Sequence, residues 1–269
     1  MHPVIAPDRL ALLLDAPAPP VLLDVRWSLT GPPGRQEYAT GHLPGAVFVD
    51  VDVDLAGAPG AAGRHPLPEP ASLQAVLRAA GVRHDRPVVA YDAADSSVAA
   101  RAWWLLRWAG HREVAVLDGG YRAWVDRGLP VTTAAPQPAA GTITVHPGMM
   151  PVLDTEQAAD LAGAGGLLDA RAQPRYRGEH EQVDPRAGHI PGARNAPFAL
   201  LTDAGGRWLP AARLRELAAE WGVTGLPVGV YCGSGVTACS LVLGLELAGF
   251  TTPEVPAALY AGSWSQWCA

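Results

Sequence analysis

The chain has 269 residues, 49% of them apolar and 17% charged, with 30 glycines, 26 prolines and a net charge of −6. That length suits one large domain or two of ordinary size. The acidic balance argues against wholesale nucleic-acid binding, and no apolar run approaches the length of a membrane span. Three cysteines in a chain this long argue against a disulfide framework and for a reducing, cytoplasmic setting. The first residues also lack the basic-then-apolar order of a signal peptide.

The first half alternates strands and helices. Asp8–Leu14 predicts a short helix with Asp8 as its N-cap. Val21–Arg26 reads as a strand, and Thr30–Arg35 as a Gly/Pro-rich loop. Val47–Asp52 reads as a second strand, and the stretch from Asp54 to Pro70 as loop. Ser72–Ala80 is a helix closed by Gly81. Pro87–Asp92 is a strand, Ser97–Ala109 a helix, Val114–Leu117 a strand, and Tyr121–Arg127 a helix stopped by Gly128. Ala134–Ala140 turns to Ala, Pro and Gln and reads as a linker. Thr142–Val145 is strand-like, and Asp154-Thr155-Glu156-Gln157 is a capping box opening a helix.

The chain then repeats itself. Leu167-Leu168-Asp169-Ala170-Arg171 restates Leu22-Leu23-Asp24-Val25-Arg26, and Gly188-His189-Ile190-Pro191-Gly192-Ala193 restates Gly41-His42-Leu43-Pro44-Gly45-Ala46. Gly262 and Trp267 restate Gly119 and Trp124. The offset stays at about 140–147 residues, which points to two homologous domains. Each is expected to be an α/β unit with a mainly parallel sheet flanked by helices. The expected division is 1–133, a linker over 134–151, and 152–269.

One stretch stands out chemically. Val228–Tyr231 is a short apolar run, and Cys232-Gly233-Ser234-Gly235-Val236-Thr237 follows before a helical pattern. A loop of this kind can aim several backbone N–H groups at one point, and the helix behind adds its positive end. A thiolate at Cys232 is stabilised there, which makes it a nucleophile. The repeat sets Asp92 opposite Cys232, so one half is built for sulfur chemistry and the other is not. Cys239 reads as core. Cys268, beside the C-terminus, is expected to be exposed and open to oxidation.

Taken together, Tyr38 with His42-Leu43-Pro44-Gly45-Ala46, Asp169-Ala170-Arg171, His189-Ile190-Pro191-Gly192-Ala193, the Cys232 loop and Tyr260-Ala261-Gly262-Ser263-Trp264-Ser265-Gln266-Trp267 resemble the tandem-domain rhodaneses. These are sulfurtransferases of the thiosulfate and 3-mercaptopyruvate group. The resemblance covers nearly all of both halves. It implies a non-catalytic N-terminal domain and a C-terminal domain carrying the nucleophile. The loop is similar to that of 3-mercaptopyruvate sulfurtransferases. Thiosulfate-preferring members usually carry a basic residue directly after the cysteine, whereas Gly233 and Thr237 are uncharged. By the same resemblance Arg175 matches the substrate-binding arginine and Arg186 a second, with Arg177 as a substitute. Ala261 departs from the family's usual Asp.

The implied mechanism has Cys232 attack the sulfur of 3-mercaptopyruvate and become a persulfide. The N–H groups of Gly233, Gly235 and Val236 stabilise the anionic sulfur. Ser234 relays a proton or bonds the substrate carbonyl, and Thr237 donates a hydrogen bond or serves the helix start. An acceptor thiol, a reductant such as thioredoxin, or cyanide then removes the outer sulfur. No metal or cofactor is needed. His42 and His189 each precede a Pro-Gly turn and are expected to be structural. Thiosulfate:cyanide transfer is the alternative on this scaffold. A phosphatase or arsenate-reductase loop would need an arginine near its end, and none is present. A non-catalytic sulfur-carrier or binding module is the remaining alternative.

Overall fold

The computed structural model describes residues 1–225 and 227–269. It forms two compact units. The first comprises Met1–Gly57, Pro68–Met149 and Ala204–Trp208, and the second Ala58–Leu67, Met150–Asp203 and Leu209–Ala269. Each half of the chain therefore lends a short segment to the unit built mainly by the other.

The first unit contains β1 (Val4–Ile5), α1 (Pro7–Leu14), β2 (Val21–Asp24), α2 (Gly34–Thr40), β3 (Val47–Phe48), α3 (Pro70–Ala79), β4 (Val88–Tyr91), α4 (Ala99–Trp108), β5 (Val114–Leu117) and α5 (Gly120–Asp126). Its sheet has the order β1-β5-β4-β2-β3, with parallel pairings. The central β4 is buried throughout, as a parallel strand covered on both faces must be. Its apolar content follows from that: there is no solvent face to make polar.

The second unit contains α6 (Thr155–Gly163), β6 (Leu167–Asp169), α7 (Gln173–Tyr176), β7 (Arg194–Asn195), α8 (Ala211–Glu220), β8 (Gly229–Tyr231), α9 (Ala238–Leu247), β9 (Ala258–Leu259) and α10 (Ser263–Trp267). The sheet order is β7-β6-β8-β9, again parallel. The capping box at α6 has both arms: Gln157 N–H donates to Asp154, and Asp154 N–H donates to the Gln157 side chain. In both units the nucleophile-position loop leaves the C-terminal end of a central buried strand, where α/β sheets place their active groups.

The repeated motifs are structural staples. Arg26 binds Asp24 and reaches the Gly41 carbonyl at 2.7 Å, and Arg171 binds Asp169 and reaches Gly188 at 2.7 Å. Each pair is buried, and the bidentate geometry with an added carbonyl offsets desolvation. Tyr91 and Tyr231 accept N–H bonds from Leu43 and Ile190. Burial, with a neighbouring carboxylate, pushes both phenols up, so they stay neutral. His42 stacks on Tyr38 and lies against the carbonyls of Tyr38 and Ala134; His189 does the same with Tyr176. Both histidines hold turns, as expected.

Several expectations need correction. The N-cap of α1 is Ala6, with Pro7 at the first turn and Asp8 inside the helix. Thr142–Val145 forms no strand: Val145 N–H donates to Gln74, Arg78 donates to the Ile143 carbonyl, and Ile143 N–H donates to Val82. Side chains of α3 thus satisfy backbone groups that a ladder would have used. The second strand stops at Phe48, because Asp54 and Asp50 side chains draw the next residues into a turn. Cys268 is buried, not exposed: it packs with Tyr260 and Trp264, and burial pushes its thiol up. Among the described residues no helix is long and apolar enough to cross a membrane.

Candidate active site

Cys232 follows β8 directly and is 2% exposed. Three contacts from the start of α10 fix the entry to its loop. Cys232 N–H donates to Ser263 Oγ at 3.2 Å, Trp264 N–H donates to the Cys232 carbonyl at 3.0 Å, and Ser265 N–H donates to the Gly233 carbonyl at 2.9 Å. Ser263 sits at φ 54, where L-residues are strained, and its hydroxyl also donates to the Tyr260 carbonyl. Its counterpart in the first unit is Gly120, at φ 55. A serine holding a conformation suited to glycine, with its hydroxyl on the nucleophile's backbone, marks a built position.

Gly235 turns the loop back on the sulfur. It has φ +80, and a Cβ there would lie 2.4 Å from the Ala261 carbonyl oxygen, so only glycine fits. Its N–H donates to Cys232 Sγ at 3.1 Å. Val236 is buried, and its carbonyl accepts Cys239 N–H. Thr237 is the N-cap residue of α9 without a side-chain capping bond, and its carbonyl takes the Ser240 hydroxyl at 2.8 Å. Cys239 is fully buried, as expected of a core residue.

The cations come from outside the loop. A methyl group on Gly233 would meet Arg64 Nη2 at 3.2 Å and Arg175 Nη1 at 3.4 Å. Arg175, on α7, places Nε and Nη2 on Glu181 and Nη2 on Asp184. Arg64 places Nη1 on the same Asp184 at 2.6 Å. Burial opposes the charged form of Glu181, but bonds from Val183 N–H, Arg175 and Asp184 N–H hold its carboxyl below the usual range. Arg186 is exposed; its carbonyl accepts Trp264 Nε1–H, and its side chain has no bond to the loop among the described residues. Arg177 is also exposed and lies 3.7 Å from Glu179.

Ser234 Oγ lies 2.7 Å from His65 Nδ1, with both side chains buried. The histidine facing the loop serine is therefore His65, in the segment 58–67 that the second unit takes from the first half. Sequence reasoning brought together Cys232, Gly233, Ser234, Gly235 and Arg175, and the structure places them side by side. It missed Arg64, His65, Glu181, Asp184 and Ser263. A usable signal existed for two of them: Arg64 and His65 interrupt an otherwise small and apolar Gly/Ala/Pro stretch.

The site pairs one buried thiol and the Gly235 N–H directed at it with two guanidinium edges and a serine–histidine pair. Such a set can bind an anion beside the sulfur and move a proton. The rhodanese-like domain family matches residues 6–127 and 154–269. A putative thiosulfate sulfurtransferase SseB of Mycobacterium tuberculosis is 45% identical over 98% of this chain and 93% of its own length. A probable 3-mercaptopyruvate sulfurtransferase of Pseudomonas aeruginosa is 46% identical over 92% of this chain and 88% of its own. The crystal structure of the 3-mercaptopyruvate sulfurtransferase SseA from Escherichia coli superposes with a TM-score of 0.85 at 30% identity, covering 98% of this chain and all of the other. With two matched segments that take up most of its length, this chain belongs to the rhodanese-like family and carries the domain in two tandem copies.

Proposed function

We propose that the chain moves a sulfane sulfur from 3-mercaptopyruvate to an acceptor through a persulfide on Cys232. That the chain is a sulfurtransferase follows from relatives that bear that name along nearly their whole length. The persulfide is supported by one observation above all: Gly235 N–H already points at Cys232 Sγ, 3.1 Å away, in a loop free of competing side-chain cations. In this reading the Cys232 thiolate attacks the donor sulfur, the carbon–sulfur bond breaks, and pyruvate leaves as its enolate. Ser234 and His65 deliver the proton that the enolate carbon takes up. Arg175 holds the donor carboxylate, with Gly233, Gly235 and Val236 presenting backbone N–H groups to the sulfur.

The acceptor is a thiol, a reductant such as thioredoxin, or cyanide, in the cytoplasm. The half comprising 1–133 carries Asp92 in place of the nucleophile and is non-catalytic by itself, 134–151 link it onward, and 152–269 hold the cysteine. The half without the nucleophile still lends Arg64 and His65. The thiosulfate reading is favoured by one feature, the cation of Arg64 beside Gly233.

Intact-mass measurement tests the proposal. Wild-type protein treated with 3-mercaptopyruvate gains about 32 Da, one sulfur atom, and Cys232→Ser gains none. A wild type that turns over donor without the adduct overturns the persulfide.

A further inference from the structure

The geometry points to Arg64 as a second donor-binding cation, set beside Gly233 next to the nucleophile and so suited to a dianionic donor. This rests on the persulfide reading above and adds to it a residue and a donor class.

Arg64 and Arg175 form a pair bridged by one carboxylate. Asp184 takes Arg64 Nη1 on Oδ1 and Arg175 Nη2 on Oδ2, and is itself 1% exposed. A buried carboxylate between two guanidiniums fixes both planes. Arg175 spends Nε and Nη2 on Glu181 and Asp184. Its remaining Nη1 is the atom nearest Gly233 after Arg64 Nη2. Among the described residues Arg64 bonds through Nη1, and its Nε is buried without a hydrogen-bond partner. Two guanidinium edges thus face the residue next to the nucleophile.

Placement is equally constrained. Arg64 N–H donates to Ser265 Oγ at 3.0 Å, and Ser265 N–H donates to the Gly233 carbonyl. One serine of α10 therefore ties the arginine and the loop together. A Cβ at position 233 would lie 3.2 Å from Arg64 Nη2 and 3.4 Å from Arg175 Nη1, so both guanidiniums crowd the residue after the nucleophile.

The chemistry separates the donors. With thiosulfate, the Cys232 thiolate bonds to the outer sulfur, the sulfur–sulfur bond breaks, and sulfite leaves with the electron pair as a dianion, with no proton needed. A sulfonate with three oxygens and a double negative charge benefits from guanidiniums on two sides. A single carboxylate is satisfied by one bidentate arginine.

The test is steady-state kinetics with each donor on wild type, Arg64→Ala and Arg64→Lys, alongside adduct formation by intact mass. Arg64→Ala is expected to lower kcat/KM for thiosulfate by about 10-fold or more, chiefly through KM, and that for 3-mercaptopyruvate by no more than about 3-fold. Arg64→Lys, which keeps the charge but loses the fork, recovers part of the thiosulfate loss. Equal losses for both donors, or none, overturn the assignment to Arg64 and leave the persulfide standing. A wild type that gains no sulfur from either donor overturns the persulfide reading instead.

Discussion

Asp92 and Cys232 occupy the same point of the two repeats, and each accepts backbone N–H groups of the loop that follows it. Asp92 Oδ1 accepts N–H bonds from Ala94 and Ser96, and Oδ2 from Val98 and Ala99, at 2.9–3.2 Å. Cys232 Sγ accepts Gly235 N–H. A carboxylate oxygen lies two bonds from Cβ, and so does the outer sulfur of a cysteine persulfide. The first unit thus displays, around a carboxylate, the kind of N–H cradle that a persulfide needs.

That equivalence predicts the behaviour of Cys232→Asp. The new carboxylate is expected to fold into its own loop and take its N–H groups. The variant keeps wild-type thermal stability, or exceeds it, and gains no sulfur. Asp92→Ala leaves buried N–H groups without their acceptor and is expected to cost about 1–3 kcal/mol. Thermal and urea denaturation of both variants check the pair; a Cys232→Asp protein that unfolds well below wild type contradicts the equivalence.

Asp92 also has a pH signature. Burial, with the charge of Asp95 adding to it, pushes its carboxyl from 3.8 up to about 6 against the N–H bonds that favour the anion. The folded state therefore binds more protons than the unfolded state between about pH 4 and pH 6. Its contribution to stability is present in full below that window and is lost as pH rises through it, by an amount on the order of 3 kcal/mol. Carboxyl-carbon NMR is expected to show an Asp92 midpoint near 6. A midpoint near 4 shows that the four N–H bonds outweigh burial.

The Ser234–His65 pair predicts a donor-dependent defect. Pyruvate enolate needs a proton to leave as pyruvate, whereas sulfite leaves without one. His65→Gln is therefore expected to lower kcat with 3-mercaptopyruvate by about 100-fold, in the range of lost general acid–base catalysis. Its effect with thiosulfate is expected to stay within a few-fold. Rates with both donors, measured across pH, check this. Equal losses make His65 a packing residue.

Much of this was legible in the residues. Val114–Leu117 is the observed β5, the capping box at Asp154 has both its bonds, and the internal repeat alone sets Cys232 opposite Asp92. The short elements were not legible. The two residues of β9 and the four of α7 are too few to show a period, and α2 begins beside prolines in a stretch that reads as loop. Arg64 and His65 were hidden for a different reason. Their partners Asp184 and Ser234 lie 120 and 169 residues away, and a loop with no periodicity gives no hint of what it will pack on. Cys268 misled because a position near the terminus suggests exposure, while Tyr260 and Trp264 cover it.

Ser263 carries the last prediction, because two of its properties separate by substitution. At φ 54 a side chain costs about 1 kcal/mol relative to glycine. Its hydroxyl meanwhile occupies Cys232 N–H, a buried donor that needs an acceptor. Ser263→Ala keeps the strain and loses the acceptor, whereas Ser263→Gly loses the acceptor but relieves the strain. The glycine variant is therefore expected to be the more stable by about 1 kcal/mol in urea denaturation. Both free the nucleophile's backbone, so both are expected to slow sulfur uptake at Cys232 by about 10-fold, read as the rate of mass gain. If the glycine variant takes up sulfur at the wild-type rate, the hydroxyl serves the turn alone, and the strain at Ser263 has no part in positioning the thiolate.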